Sequence, residues 1–149
     1  MRAALLIAGY LRTFKVNLPT IKKKIIEKFD IVDIYIHVTK GEARDDRYLN
    51  PIDLDEAVHF IHSELHPLAL LHEDNAKQFD DRALNTIYNI WSKYFMLNGI
   101  RLATEHVGNF KYDIVIKYRP DLDILSEEVF IGDLSKEVLA KINSGNRRK

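Results

Sequence analysis

Asp121 and Asp123 are two carboxylates separated by one residue, and they follow directly on the stretch Tyr112-Asp113-Ile114-Val115-Ile116-Lys117-Tyr118-Arg119-Pro120. The lead-in is β-branched and aromatic, as a sheet strand is, and Pro120 ends regular pairing because it has no N–H to give to a ladder. In extended chain, residues two apart project to the same side, so the two acids converge on one point past the strand's C-terminal end. Two hard oxygen ligands there, with water and a diphosphate completing the shell, suit Mg²⁺ or Mn²⁺. The same residues also fit ordinary turn chemistry after a strand, and only their surroundings separate the two readings.

A second group follows the first apolar run. Gly9 permits a turn or a close approach to a ligand, Tyr10 sits beside it, and Arg12 brings a planar guanidinium suited to phosphate. In open parallel sheets ligands bind outside the carboxyl ends of the strands, which is where this loop and the Asp pair both fall. The structural alternative is that Arg12 pairs with a nearby acid and Tyr10 packs. Thr39, at the end of the next strand, offers a hydroxyl to a base or ribose, whereas His37 reads more readily as lining the core. His59, His62 and His66 share one side of a helix at zinc-ligand spacing, but no second segment supplies a partner ligand. The patterns G-x-G-x-x-G, G-x-x-x-x-G-K-[ST] and G-x-S-x-G are absent, which removes the usual dinucleotide, P-loop and nucleophile-elbow readings.

These residues need a scaffold. Residues 3–8 form an unbroken apolar run, as a central strand would. A helix is expected from about Pro19 to Phe29, a strand over 33–39, and a polar, mobile loop from Gly41 to Pro51. Asp53 with Glu56 resembles a capping pair opening a helix through Val58, Ile61 and Leu65. A short strand over 67–72 leads to Asp80 and Asp81, which read as the cap of a long helix over 82–105. Its apolar side is taken as Leu84, Ile87, Ile90, Trp91, Tyr94, Phe95 and Leu102, with Trp91, Tyr88, Tyr94 and Phe95 as core. Gly108-Asn109 closes it. The strand over 113–118 follows, then an edge strand at Phe130-Ile131 and a last helix from Leu134 to Ile142. Alternating strands and helices predict an α/β fold: a three-layer, Rossmann-like, mainly parallel sheet flanked by helices.

At 149 residues the chain suits one domain, taken as 1–143, with 144–149 as a flexible basic tail. The hydrophobic share of 46% and charged share of 30% are globular values and argue against disorder. Lys plus Arg equal Asp plus Glu at 22 each, so there is no field for general nucleic-acid binding. The absence of cysteine excludes disulfides and suits a reducing compartment. Ala3 to Ala8 is too short for a signal h-region and no longer apolar run follows, so a cytoplasmic protein without a membrane span is expected.

The segments Ala4-Leu5-Leu6-Ile7-Ala8-Gly9-Tyr10-Leu11-Arg12-Thr13-Phe14, Asp33 to Thr39, and Tyr112 to Asp123 together resemble glycosyltransferases of the type-A fold, GT-A. The likeness is to sugar transferases of large algal DNA viruses, which decorate capsid glycoproteins, and to bacterial polysaccharide enzymes. It implies a nucleotide-sugar donor, often a UDP-sugar, and a glycan or glycoprotein acceptor; for a viral protein the site would be the host cytoplasm. Asp121 and Asp123 would hold Mn²⁺ or Mg²⁺ on the donor diphosphate, and Gly9, Tyr10, Arg12, Thr39 and Arg119 would line the nucleotide. Arg119-Pro120 is a more charged and stiffer lead-in than the fold usually has, and the chain after Asp123 is short for an acceptor site. Among the downstream acids Glu127, Glu128 and Asp133, nothing selects a catalytic base. A donor-binding half, a non-catalytic nucleotide-binding or interaction domain, and a nucleotidyltransferase remain the alternatives.

Overall fold

The structure is a computed structural model, and it describes residues 1–11, 14–39, 54–73 and 79–120. Strand β1 (Arg2–Tyr10) leads to helix α1 (Phe14–Lys24), strand β2 (Ile31–Thr39), helix α2 (Leu54–Leu65) and strand β3 (Ala69–Glu73). Helix α3 (Arg82–Thr86), a π-turn (Ile87–Trp91) and helix α4 (Ser92–Gly108) then precede strand β4 (Ile114–Tyr118). The four strands form one parallel sheet in the order β3-β2-β1-β4. The fold is therefore α/β, with helices flanking a parallel sheet, and it is compatible with a Rossmann-like arrangement.

Strand alternation divides the interior in two. Leu5 and Ile7 of β1 and Ile34, Ile36 and Val38 of β2 pack with Phe14, Leu18 and Ile21 of α1 and with Ala57, Ile61 and Leu65 of α2. Ala4, Leu6 and Ala8 of β1 and Tyr35 of β2 pack with Tyr94 and Leu97 of α4 and with Tyr112. Burial on both faces is why β1 had to be continuously apolar. Each such aliphatic side chain contributes about 1.5–3 kcal/mol by leaving water.

Helix α1 starts a turn and more earlier than expected from Pro19. Phe14 and Leu18 are buried against the sheet, and the Phe14 N–H donates to the Leu11 carbonyl at 2.9 Å, so the helix forms as soon as the chain turns back. Pro19 sits inside it; its missing N–H forfeits one backbone bond, and its ring is exposed. Lys15 and Lys22 pair with Glu56 and Glu64 of α2, surface contacts worth at most about 1 kcal/mol each.

The long helix differs more. Its span matches expectation, but its buried side does not: Trp91 is 56% and Phe95 82% exposed, and Leu84, Ile87, Tyr88 and Leu102 are exposed as well. The buried face is Lys93, Tyr94, Leu97 and Glu105. The chosen rotation is the one in which polar groups find partners. Tyr94 donates its hydroxyl to the Tyr118 carbonyl at 2.9 Å, Lys93 reaches Glu73, and Glu105 accepts the Tyr112 N–H at 2.9 Å. The π-turn carries an extra residue, which shifts the phase of the helix before it against the helix after it.

Two helix-end expectations are met. Asp81 Oδ1 accepts from the N–H groups of Ala83 and Leu84, and Asn109 closes α4 in the left-handed conformation at φ 49°. At the N-terminal edge of the sheet, Asp33 Oδ2 accepts from Arg2 Nη2 at 2.6 Å and from the Tyr112 hydroxyl at 2.7 Å. Burial, with hydrogen bonds to Tyr35 and Asp33, pushes the Tyr112 phenol far above its ordinary range. No helix among the described residues is long and apolar enough to cross a membrane. The expected loop 41–51, the Asp53 cap, the strand at 130–131, the helix 134–142 and the tail 144–149 lie outside the described residues.

Candidate functional site at the carboxyl edge of the sheet

From β1 the chain adds β2 and then β3 on one side, and returns to place β4 on the other. The strand order thus reverses between β1 and β4, and in open parallel sheets ligands bind outside the carboxyl ends of strands at such a reversal. The register Ile7↔Tyr118 extends to set Gly9 opposite Pro120. Gly9 adopts φ +143°, a region L side chains rarely enter, and a Cβ on it would lie 3.2 Å from Pro120 Cδ. Gly9 is required here both for its conformation and for the close approach.

The end of β4 is pinned from both sides. Asn17 of α1 donates Nδ2 to the Pro120 carbonyl at 3.1 Å, and Tyr94 of α4 holds the Tyr118 carbonyl. The chain therefore departs toward residue 121 from a fixed point beside Gly9. Tyr10 and Thr39 are register partners at the same edge, and Arg119 follows β4 directly, partly buried. Of the residues singled out in the sequence, Gly9, Tyr10, Thr39 and Arg119 come to one edge. Arg12, Asp121 and Asp123 lie outside the described residues.

The same edge carries a cluster that spacing had not revealed. Lys93 of α4 is 3% exposed and forms an ion pair with Glu73 Oε1 at the end of β3. Thr39, 1% exposed, donates its hydroxyl to the same oxygen at 2.8 Å. His37 is buried two residues before Thr39, and its Nδ1 has no hydrogen-bond partner among the described residues. Asn89, in the π-turn, is buried alongside and donates to the Asn85 carbonyl at 2.9 Å. A π-turn beside a buried polar cluster is a frequent mark of a functional site.

The electrostatics are those of a tightly tuned pair. Burial pushes the Glu73 carboxyl up, but hydrogen bonds from Lys93 and Thr39 outweigh it and hold it below its ordinary value. Burial lowers His37, the Lys93 charge lowers it further, and Glu73 only partly offsets them. His37 is accordingly neutral at pH 7. The signal that would have found Glu73 is the period of two in β3, where Ala69 and Leu71 pack in the α4-side core and Glu73 continues their row. Lys93 lies four residues before Leu97 and shares its face.

Among the described residues no three His, Asp or Glu side chains are grouped to hold a metal ion, and His59, His62 and His66 are exposed on and just after α2. Glu73 is already engaged by the Lys93 ammonium. Compared with family models, curated proteins and solved structures, the chain has no match in any of the three.

Proposed function

We propose that this chain is a nucleotide-sugar-binding domain of the GT-A kind, using a UDP-sugar or related donor for divalent-metal-dependent transfer to a glycan or glycoprotein acceptor. The observation that supports it is the reversal of strand order between β1 and β4, where Gly9 closely approaches Pro120, the residue just before the Asp-x-Asp sequence. The two cores, one carrying α1 and α2 and the other α4, favour a three-layer arrangement. In this reading Asp121 and Asp123 hold Mn²⁺ or Mg²⁺, the hard cations that paired carboxylates prefer. The ion supplies stabilisation of the negative charge that builds on a departing nucleoside diphosphate. Arg12 and Arg119 bring fixed positive charge toward the same oxygens. Gly9, with no side chain, lets β1 and Pro120 come close at this edge, and Tyr10 and Thr39 line the strand ends beside it.

Binding without turnover is the second reading. It is favoured by Glu73 being held by Lys93 and Thr39, which leaves no uncommitted carboxylate among the described residues of the edge to act as a general base. Calorimetric titration with UDP and GDP, with and without Mn²⁺, tests the shared core of both readings. Affinity should require the ion and fall more than tenfold in the Asp121→Ala, Asp123→Ala double variant, a loss of at least about 1.4 kcal/mol. Unchanged affinity in that variant refutes the metal assignment. Hydrolysis of a UDP-sugar without added acceptor then separates an enzyme from a binder.

A further inference from the structure

We propose that the outer face of α4, with the π-turn before it, is the interface of a two-fold dimer of this chain. The helix is turned against the usual polarity. Trp91, Phe95, Met96, Leu102 and Val107 are 45% to 86% exposed, while the charged residues between Trp91 and Val107 turn inward: Lys93 and Glu105 are buried, and Arg101 pairs with Glu105 at 2.9 Å. An ordinary surface helix does the reverse, with charges in water and its apolar stripe on the core. Leu84, Ile87 and Tyr88, in α3 and the π-turn, are exposed as well. With about 150–250 Å² for a whole aromatic side chain and less for an aliphatic one, these residues leave roughly 600–800 Å² of apolar surface in water. That exceeds the few hundred Å² a monomer usually leaves contiguous, and it approaches the about 800 Å² each partner gives to a stable interface.

A second copy of this chain fits such a face by its charge. A two-fold pair sets a patch against its own image, so a patch rich in one sign of charge would repel itself. From Trp91 to Val107 the exposed side carries no Asp, Glu, Lys or Arg. Lys117 stands at the border, its Nζ 5.5 Å from the Trp91 ring, as rim charges do. Over the chain Lys plus Arg equal Asp plus Glu, so no net charge holds two copies apart.

Gly99 supports the pairing independently. It is exposed on the same face, four residues after Phe95 and three before Leu102, and a Cβ on it would meet nothing within 4 Å. Packing within this chain therefore has no need of a glycine there, although glycine is the poorest helix residue after proline. Gly99 and Ala103, one turn apart and both exposed, let a second helix come close.

Sedimentation equilibrium on the full chain, from nanomolar to high micromolar concentration, provides the test. The mass should double from 17.4 kDa, and the emission of Trp91, the chain's only tryptophan, should move to shorter wavelength over the same range as its ring leaves water. Phe95→Glu sets two carboxylates against each other across the two-fold, and Gly99→Gln fills the space between the helices; each should weaken the dimer at least tenfold. Dilution below dissociation supplies the fold control. There Phe95 lies in water, so its replacement should leave the monomer's urea midpoint nearly unchanged, and Gly99→Gln should raise it through better helix propensity. A chain that stays monomeric throughout overturns the proposal, whether the face then meets another protein, a lipid surface or this chain's own residues past Pro120. So does a dimer that forms with no shift in Trp91 emission, or one that survives both changes.

Discussion

The Lys93–Glu73 pair makes an asymmetric prediction about stability. Replacing Glu73 by Ala leaves an ammonium that is 3% exposed without its counter-charge, and it strips Thr39 of its acceptor. Breaking a buried pair from one side costs about 3–5 kcal/mol; because Glu73 itself is 37% exposed, the low end, about 3 kcal/mol, is the appropriate figure. For a chain of this size that lowers Tm by roughly 6–12 °C. Lys93→Met removes the buried charge while nearly conserving volume, and water can reach the remaining carboxylate, so its cost should stay within about 1 kcal/mol. The double variant should then be more stable than Glu73→Ala alone, by about 2 kcal/mol. Urea unfolding followed by far-UV circular dichroism, with m unchanged across the set, measures all three. If Lys93→Met is as damaging as Glu73→Ala, or if Glu73→Ala costs under about 1 kcal/mol, the burial of Lys93 is not what this reasoning takes it to be.

Other perturbations probe the scaffold around that pair. Leu97→Ala should cost about 2–5 kcal/mol as a core truncation, while Phe95→Ala, at an 82% exposed site, should change the urea midpoint little; a reversed order would mean that α4 presents its other side to the sheet. Gly9→Val should destabilise by about 1–3 kcal/mol through its φ of +143° and weaken UDP binding by displacing Pro120, and an unaffected melting curve would remove the strain argument. His37 is held below its ordinary 6.5 in the folded chain, so the unfolded chain takes its proton first: the stability it contributes is complete above about pH 6.5 and is lost as pH falls through the lower folded value. A urea midpoint that drops from pH 7 to pH 5 more steeply in the natural chain than in His37→Gln is the expected result, and parallel slopes would argue against it.

Much of the scaffold was legible before any coordinates. Ala3 to Ala8 has no polar residue, and only a strand covered on both faces uses such a run, so a central position and a parallel sheet followed. Asp81 as a cap and Asn109 as a left-handed stop are local chemistry, settled within a few residues of chain, and they appear where composition put them. Helix α1 was less legible because Pro19 is a strong local signal for a helix start, and the burial of Phe14 and Leu18 overrode it.

What tertiary structure alone decided is which way the long helix faces and which polar groups meet. Two apolar stripes run along residues 84–102, one through Trp91 and Phe95 and one through Tyr94 and Leu97, and hydrophobicity cannot choose between them. The choice falls to long-range polar contacts: Lys93 with Glu73, Tyr94 with the Tyr118 carbonyl, Glu105 with the Tyr112 N–H. These join residues from 7 to 24 positions apart in sequence, beyond the reach of any periodicity. Side-chain types and local spacing thus dictated strands, helices and caps, because those depend on neighbours in the chain. The buried cluster of Glu73, Thr39, His37 and Lys93 exists only because three separate segments are folded onto one edge.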